Sequence, residues 1–177
     1  MKFVTLFCLS ALFGFAGSNV DNDTEFPIPP YSKKSLFYIH RSPNPNTVIY
    51  EVNLTDKSVI DREDPVKVYW IRYGEKGQLR DLNYLEKTFA YGVKSEPTDQ
   101  YKFKMHFVAS KEKSFVASLD EKGQACATMK IGGRQSRLIK IFVQVAADGW
   151  WPKVAYVEFF GLDSETNKPT YEKMIIK

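Results

Sequence analysis

Apolar and polar residues alternate with a period of two along most of this chain. In YKFKMHFV (101–108), four apolar side chains alternate with Lys102, Lys104 and His106. Successive side chains of a strand point to opposite faces, so this pattern predicts half-buried strands of an antiparallel sheet. Nine strand candidates follow from it: a segment from Leu36, then residues 47–54, 66–73, 101–108, 114–120, 125–131, 138–145, 153–161 and 170–176.

One segment has helical spacing instead. In QLRDLNYLEKTFAYG, the apolar residues Leu82, Leu85 and Phe89 recur every three or four positions. Asp81 could cap the first turn, and Gly92 could close the last one. The pattern predicts one helix from about 79 to 91, between the third and fourth strands. Its apolar stripe should lie on a sheet or plug the open end of a barrel.

Turn residues separate the later strand candidates. Glycine supplies the positive φ of hairpin turns in the segments 120–123 and 132–134, and residues 163–169 form a third polar turn. Together these signals predict a mainly β fold. The expected architecture is an antiparallel β-barrel or β-sandwich of about eight to nine strands with one helix, and the barrel is favoured.

The N-terminus has the pattern of a signal peptide. Lys2 supplies a positive charge, residues 3–16 are apolar, and small residues allow cleavage after Ala16 or Ser18. A membrane-spanning helix needs about 20 apolar residues, so this run is too short to serve as one. We therefore predict a signal peptide over 1–18, export to the periplasm or the outside, and no transmembrane segment after cleavage.

The rest of the chain suits one domain. Residues 19–34 are rich in proline and cannot form a regular strand, which predicts a leader before a single β-rich domain over 35–177. The net charge of +4 is spread along the chain without a block of Lys and Arg, so no nucleic-acid partner is predicted. After cleavage Cys126 is the only cysteine; it is either inert or available to another chain.

The polar cluster in HRSPNPN is the first candidate site. It consists of His40, Arg41, Ser42, Asn44 and Asn46. Histidine can act as a base or a ligand, arginine binds anions, and asparagine both donates and accepts hydrogen bonds. This set could hold a carboxylate, a phosphate or a sugar. The structural alternative is that Ser and Asn only shape the turn between two strands.

His40 also shares its strand face with Leu36 and Tyr38, which predicts that it points inward and Arg41 outward. The chain has no G-x-S-x-G motif and no pair of closely spaced metal-ligating residues. No catalytic triad, metal site or cofactor is therefore predicted. A hydrolase with His40 as its base and Arg41 as an anion-stabilising group remains an alternative.

Aromatic residues form the second candidate site. Tyr69, Trp70, Tyr91, Trp150 and Trp151 could line a pocket or stack on a carbohydrate ring. The alternative is core packing, because aromatic residues commonly fill a small β core. The paired tryptophans precede a proline and could instead dock a protein partner.

Four motifs carry a resemblance to a known family: HRSPNPN, VYWI (68–71), AYG (90–92) and PKVAYVE (152–158). The chain resembles an uncharacterised bacterial family of exported single-domain proteins, known only as a domain of unknown function. The resemblance extends over about residues 36–177. It implies a bacterial source and the cell envelope as location, and it brings no activity, substrate or cofactor.

The sequence as a whole favours an exported domain that binds a small, amphipathic or carbohydrate ligand without catalysis. An up-and-down barrel could hold such a ligand among inward aromatic rings. Besides the hydrolase, a protein-interaction module of the envelope is an alternative, acting through Trp150, Trp151 or an edge strand. The oligomeric state is left open.

Overall fold

The structure is a computed structural model that describes residues 26–99, 101–146 and 153–176. Within them the chain forms eleven strands, one short 3-10 helix (Tyr73–Glu75) and one α-helix, α1 (Tyr84–Phe89). The strands are β1 (Ser35–Arg41), β2 (Asn44–Val52), β3 (Val66–Arg72), β4 (Gln78–Asp81), β5 (Val93–Pro97), β6 (Lys102–Phe107), β7 (Ser110–Leu119), β8 (Ala125–Ile131), β9 (Arg134–Ala146), β10 (Lys153–Asp163) and β11 (Pro169–Ile175). The mainly β prediction is confirmed.

All strands belong to one curled sheet that forms a half-barrel. Its order is β4-β3-β2-β1-β9-β8-β7-β6-β5, and β10 and β11 extend it on the other edge of β9. Every pair is antiparallel except β1 and β9, so the sheet is mixed rather than purely antiparallel. Almost a hundred residues separate these two strands in the chain, and no hairpin forces them to run in opposite directions.

The long strand β9 divides the sheet into two arms. Its residues 134–137 pair with β8, and its residues 140–143 pair with β1, while β10 pairs along its opposite edge. Strands β1 to β4 therefore form a first arm and β5 to β8 a second arm, both bound to the same edge of β9. Each arm has an inner face toward the other arm and an outer face away from it.

Aromatic rings join the inner faces of the two arms. The ring of Phe37 stacks on Tyr50 at 4.4 Å and meets Phe107 and Phe115 of the second arm edge-on. Alternation in β6 follows the prediction, because its apolar residues enter this core and Lys102 and Lys104 are exposed. The hydrophobic core is thus the contact between the arms, as in a sandwich of two sheets.

The predicted turns connect the later strands. Gly132 and Gly133 have φ values of 58° and 82° and form the two-residue turn between β8 and β9. Gly123 has a φ of 71° between β7 and β8, and Asn167 has a φ of 58° between β10 and β11. These backbone angles favour glycine and asparagine, which explains why the sequence located the turns correctly.

The helix differs from its prediction. It covers six residues rather than 79–91, since residues 78–81 form β4, and it lies between β4 and β5. Asn83, not Asp81, caps it. The Asn83 side chain accepts a hydrogen bond from the Glu86 backbone N–H, and the Glu86 carboxylate accepts one from the Asn83 backbone N–H. Gly92 follows the helix as predicted; a Cβ there would lie 1.9 Å from the Lys87 carbonyl oxygen.

The apolar stripe of α1 faces solvent, which contradicts the expected packing on a sheet. Leu82 is buried before the helix begins, but Leu85 and Phe89 are 65% and 68% exposed. An ion pair between Arg80 of β4 and Glu86, with a nitrogen–oxygen distance of 2.5 Å, ties the helix to β4. The helix is thus held by a polar contact while its apolar side chains remain exposed.

Residues 26–34 form an N-terminal strap across the outer face of β1 and β9. The strap contains no strand or helix, as its prolines predicted. It is bonded to the sheet at its end, where Ala125 and Val52 donate backbone hydrogen bonds to the carbonyls of Lys33 and Lys34. No helix in the described residues is long and apolar enough to cross a membrane. The predicted signal peptide lies outside them.

Candidate functional site

The polar cluster of HRSPNPN does not converge on one site. His40 pairs with Phe142 of β9 and lies on the outer face, whereas Arg41 pairs with Val143 and lies on the inner face. The prediction that His40 points inward is therefore corrected. An irregularity in β1 between Ser35 and Phe37 shifts the alternation of side chains. The face on which Leu36 lies therefore does not predict the face on which His40 lies.

The strap buries His40 against the outer face. The imidazole is 3% exposed, stacks on the ring of Phe26 at 5.0 Å, and lies 4.9 Å from the ring of Tyr38. Its Nε2 lies 3.2 Å from the carbonyl oxygen of Pro27 and donates to it. Burial and, to a smaller extent, the charge of Lys140 lower the pKa of His40 to about 4, against the opposing effect of the Pro27 hydrogen bond. The ring is therefore neutral at pH 7.

Three predicted site residues meet on the inner face. The Arg41 guanidinium donates a 3.4 Å hydrogen bond to the Tyr91 hydroxyl, and the Trp70 ring contacts the Tyr91 ring edge-on at 5.1 Å. The Tyr50 hydroxyl donates a 2.6 Å bond to the Tyr91 carbonyl. Trp70 and Tyr91 are buried within the hydrophobic core. This arrangement matches the core-packing interpretation of the two aromatic residues.

The remaining residues of the cluster bond to the backbone or to one neighbour. The Asn44 side chain accepts from the Asn46 N–H at 2.8 Å, and the Asn46 side chain accepts from the Gly74 N–H at 3.1 Å. The Ser42 hydroxyl accepts from the Gln144 amide at 3.3 Å. These bonds shape the connection between β1 and β2 and join it to the 3-10 helix, as in the structural alternative.

The other aromatic candidates are separate from this cluster. Tyr69 pairs with Ile49 and lies half-buried on the outer face, opposite to Trp70. Burial raises the pKa of Tyr69 to about 12, with a further contribution from Glu51. Trp150 and Trp151 lie outside the described residues, so their role in ligand or protein binding stays a prediction.

A cavity of about 170 Å³ lies between the strap and the outer face of the sheet. The strap contributes Ile28, Pro29 and Tyr31 to its lining, β1 and β2 contribute Tyr38 and Ile49, and β9 contributes Arg137 and Ile139. We call it the strap cavity. The Arg137 guanidinium hydrogen-bonds the Tyr31 hydroxyl and supplies the one charged group of an otherwise largely apolar lining.

The strap cavity was missed from sequence, although β1 and β2 carried a signal for it. Ile49 is a large apolar residue at a position that alternation in β2 assigns to the outer face, and Tyr38 lies opposite it in β1. An outer face with such residues indicates a second buried surface. The covering residues come from the proline-rich leader, whose lack of strand pattern gave no indication that it packs on the sheet.

The described residues offer no metal site, since they contain no group of three or more His, Cys, Asp or Glu side chains placed to hold an ion. Cys126 is half-buried, with its sulfur 3.2 Å from the Ser118 hydroxyl. It alternates with the buried Ala125 and Ala127, as the sequence indicated.

Comparison with known families agrees with the predicted resemblance to a domain of unknown function. Residues 37–173 match the model of a family described as a domain of unknown function, DUF4833. Searches of curated proteins and of solved structures found no match. The matched range begins in β1 and ends in β11, so it includes both arms and leaves out the strap. The chain therefore belongs to the DUF4833 family of domains of unknown function.

Proposed function

We propose that this domain binds a small amphipathic ligand, without catalysis, in the strap cavity. The observation that carries the proposal is an apolar cavity of about 170 Å³ with one cationic group, Arg137, in its lining. An engineered apolar cavity of about 150 Å³ holds a benzene molecule, so this volume suits a short alkyl chain or one ring. Apolar walls with a single charged group are typical of ligand pockets.

The charge of the cavity indicates the polar group of the ligand. No carboxylate in the described part of the chain lies within 4.0 Å of the Arg137 guanidinium, although the Tyr31 hydroxyl is bonded to it. Arginine binds a carboxylate with two parallel hydrogen bonds. The ligand should therefore combine an apolar body with a carboxylate or a similar anion.

The geometry supports binding better than hydrolysis. His40 and Arg41 project to opposite faces of β1, so they cannot act together on one substrate from these positions. The imidazole Nε2 of His40 is engaged by the Pro27 carbonyl, and its ring is covered by Phe26. A general base must reach the proton that it removes, and this one is enclosed by the strap.

Export belongs to the same proposal and rests on Lys2 and the apolar run over residues 3–16. The resemblance to a bacterial family implies a bacterial source, which together with export would make the cell envelope the location. N-terminal sequencing of the secreted chain is the test: export predicts a mature terminus at Gly17 or Asn19, and a retained Met1 contradicts it.

Two measurements test the ligand. Native mass spectrometry of the exported chain, before and after denaturation, should show a small stoichiometric mass that denaturation releases. In a separate NMR titration, hexanoate should shift the methyl signals of Ile49 and Ile139, and hexan-1-ol should bind more weakly because it lacks the charge.

Substitutions locate the binding. Arg137→Gln should weaken hexanoate binding about ten-fold, the equivalent of one charge-assisted hydrogen bond. Arg134→Gln is the matched control, since Arg134 lies on the same strand outside the cavity lining. Ile139→Trp should fill the cavity and abolish binding of both probes. Hexanoate binding that survives Ile139→Trp, or no binding by the wild type, would contradict the proposal.

A further inference from the structure

A second concave surface lies on the outer face of the second arm, and the strap does not reach it. The groove has a volume of about 360 Å³ and runs over β6, β7 and β8. Lys104 of β6 and Lys130 of β8 stand at its sides, and Ser114, Val116 and Thr128 form its floor. We call it the lysine groove.

Strand register explains why a groove forms here. Val116 of β7 lies opposite Lys104 on one side and opposite Thr128 on the other, and all three are on the outer face. Ser114 lies opposite His106 in the next row of the same face. Short side chains in the middle of a sheet, between long side chains on its neighbours, leave a trough along the strand direction.

Three lysines line the groove; Lys113 pairs with Glu172, whereas Lys104 and Lys130 lack local charge partners among the described residues. Lysines elsewhere also pair with carboxylates: Lys67 with Asp81, Lys102 with Asp99 and Lys173 with Glu158. In residues 26–99, 101–146 and 153–176, no carboxylate lies within 4.0 Å of the ammonium groups of Lys104 or Lys130.

Two carboxylates limit the positive charge of this surface. Glu112 lies in the groove lining, and Glu96 of β5 is opposite Lys104 in the strand register. Neither reaches ion-pair distance of the groove lysines. The groove therefore combines two unpaired ammonium groups with the hydroxyls of Ser114 and Thr128, which can donate hydrogen bonds to an oxyanion.

We propose that the lysine groove is a binding site for a ligand that carries two or more oxyanion groups, whether phosphate, sulfate or carboxylate. Lys104 and Lys130 contact it from the two sides of β7, and the hydroxyls of the floor donate to it. This site is separate from the strap cavity: it lies on the other arm, has a more polar lining than the cavity, and would bind its ligand mainly through charge.

Titration calorimetry of the full mature chain with inorganic tripolyphosphate tests the proposal. One site per chain is expected, weakened by added salt because exposed charges are screened. Lys104→Gln with Lys130→Gln should lower the affinity at least ten-fold. The matched control, Lys57→Gln with Lys168→Gln, removes the same charge from exposed positions elsewhere and should change the affinity less than three-fold.

A variant that leaves every charge unchanged distinguishes binding in the groove from non-specific electrostatic attraction. Val116→Phe fills the floor, keeps every lysine and suits a strand position. It should weaken tripolyphosphate binding about as much as the lysine variant does, with an unchanged circular dichroism spectrum. No binding by the wild type, equal loss in both lysine variants, or full binding by Val116→Phe would each overturn the proposal. Titration of acetate and sulfate then identifies the preferred anion.

Discussion

The outer faces of the two arms differ although their inner faces share one core. On the first arm, the outer face carries Tyr38, His40 and Ile49, and the N-terminal strap covers it. On the second arm, the corresponding face carries Lys104 and Lys130 and is open. The inner faces of both arms are thus apolar, whereas the two outer faces differ in polarity and in whether they are covered.

The difference has a physical cause. Exposing apolar side chains to water is unfavourable in free energy, so covering the outer face of the first arm with the strap stabilises the fold. Charged side chains on the second arm would have to give up their hydration under a similar cover. The covered face is consequently suited to an apolar ligand, and the open face to an anionic one.

The largest effect is expected from a substitution in the hydrophobic core that the two arms share. Phe115 is fully buried where the second arm meets Phe37 of the first arm. We expect Phe115→Ala to lower the free energy of unfolding by about 3–5 kcal/mol, because it removes a large ring and leaves a cavity. Urea denaturation measures this loss. A loss below about 1 kcal/mol would mean that the arms do not pack through this ring.

An intermediate effect tests the covered face through pH. The ordinary pKa of histidine is 6.5, and His40 in the folded chain titrates at about 4. As the pH falls, the unfolded chain therefore binds this proton before the folded chain does. The stabilisation of the folded state by the neutral His40 ring is complete above pH 6.5 and is lost as the pH falls toward 4. The whole contribution amounts to about 3 kcal/mol.

Comparison with a variant isolates this contribution. His40→Phe keeps a ring between Phe26 and Tyr38 but cannot titrate. Its free energy of unfolding, measured from pH 7 to pH 4 by denaturant titration, should fall by about 3 kcal/mol less than that of the wild type. Parallel pH curves for the two proteins would show that the strap does not bury His40.

The smallest effect concerns the open face. Lys104 is exposed on the outer face of the second arm and makes no ion pair within the described residues. We expect Lys104→Ala to change the free energy of unfolding by no more than about 0.5 kcal/mol, as for ordinary surface substitutions. Thermal and urea unfolding would measure it. A loss above about 1.5 kcal/mol would indicate that this face is covered after all.

The sequence predicted individual strands better than their arrangement. Alternation in YKFKMHFV and the glycine turn at 132–134 located strands and hairpins correctly, because both are local properties of the chain. The helix around Leu85 was predicted to be longer than it is, and its apolar stripe was wrongly expected to pack on a sheet. The deciding contacts there were the capping box of Asn83 and the ion pair between Arg80 and Glu86.

The candidate site was predictable only in part. The sequence pointed to Arg41, Trp70 and Tyr91, which do meet, but it grouped His40 with Arg41. Neighbours in a strand project to opposite faces, so proximity in sequence does not imply a shared site. The strap cavity depends on the packing of the strap against β9, which lies far along the chain, whereas the lysine groove depends on the register of the three consecutive strands β6, β7 and β8. The local pattern of side chains reveals neither.

The sequence alone determined that this chain is mainly β, where its turns lie, which residues share a face within each strand, and that it resembles the family to which it belongs. Those properties follow from alternation, backbone angles of glycine and asparagine, and motifs. Only the tertiary structure decided that β1 runs parallel to β9, that the strap covers His40, and that Lys104 and Lys130 border one groove. The reason is that a strand's own residues determine which side chains share a face, whereas the packing and pairing of the strands determine what each face contacts.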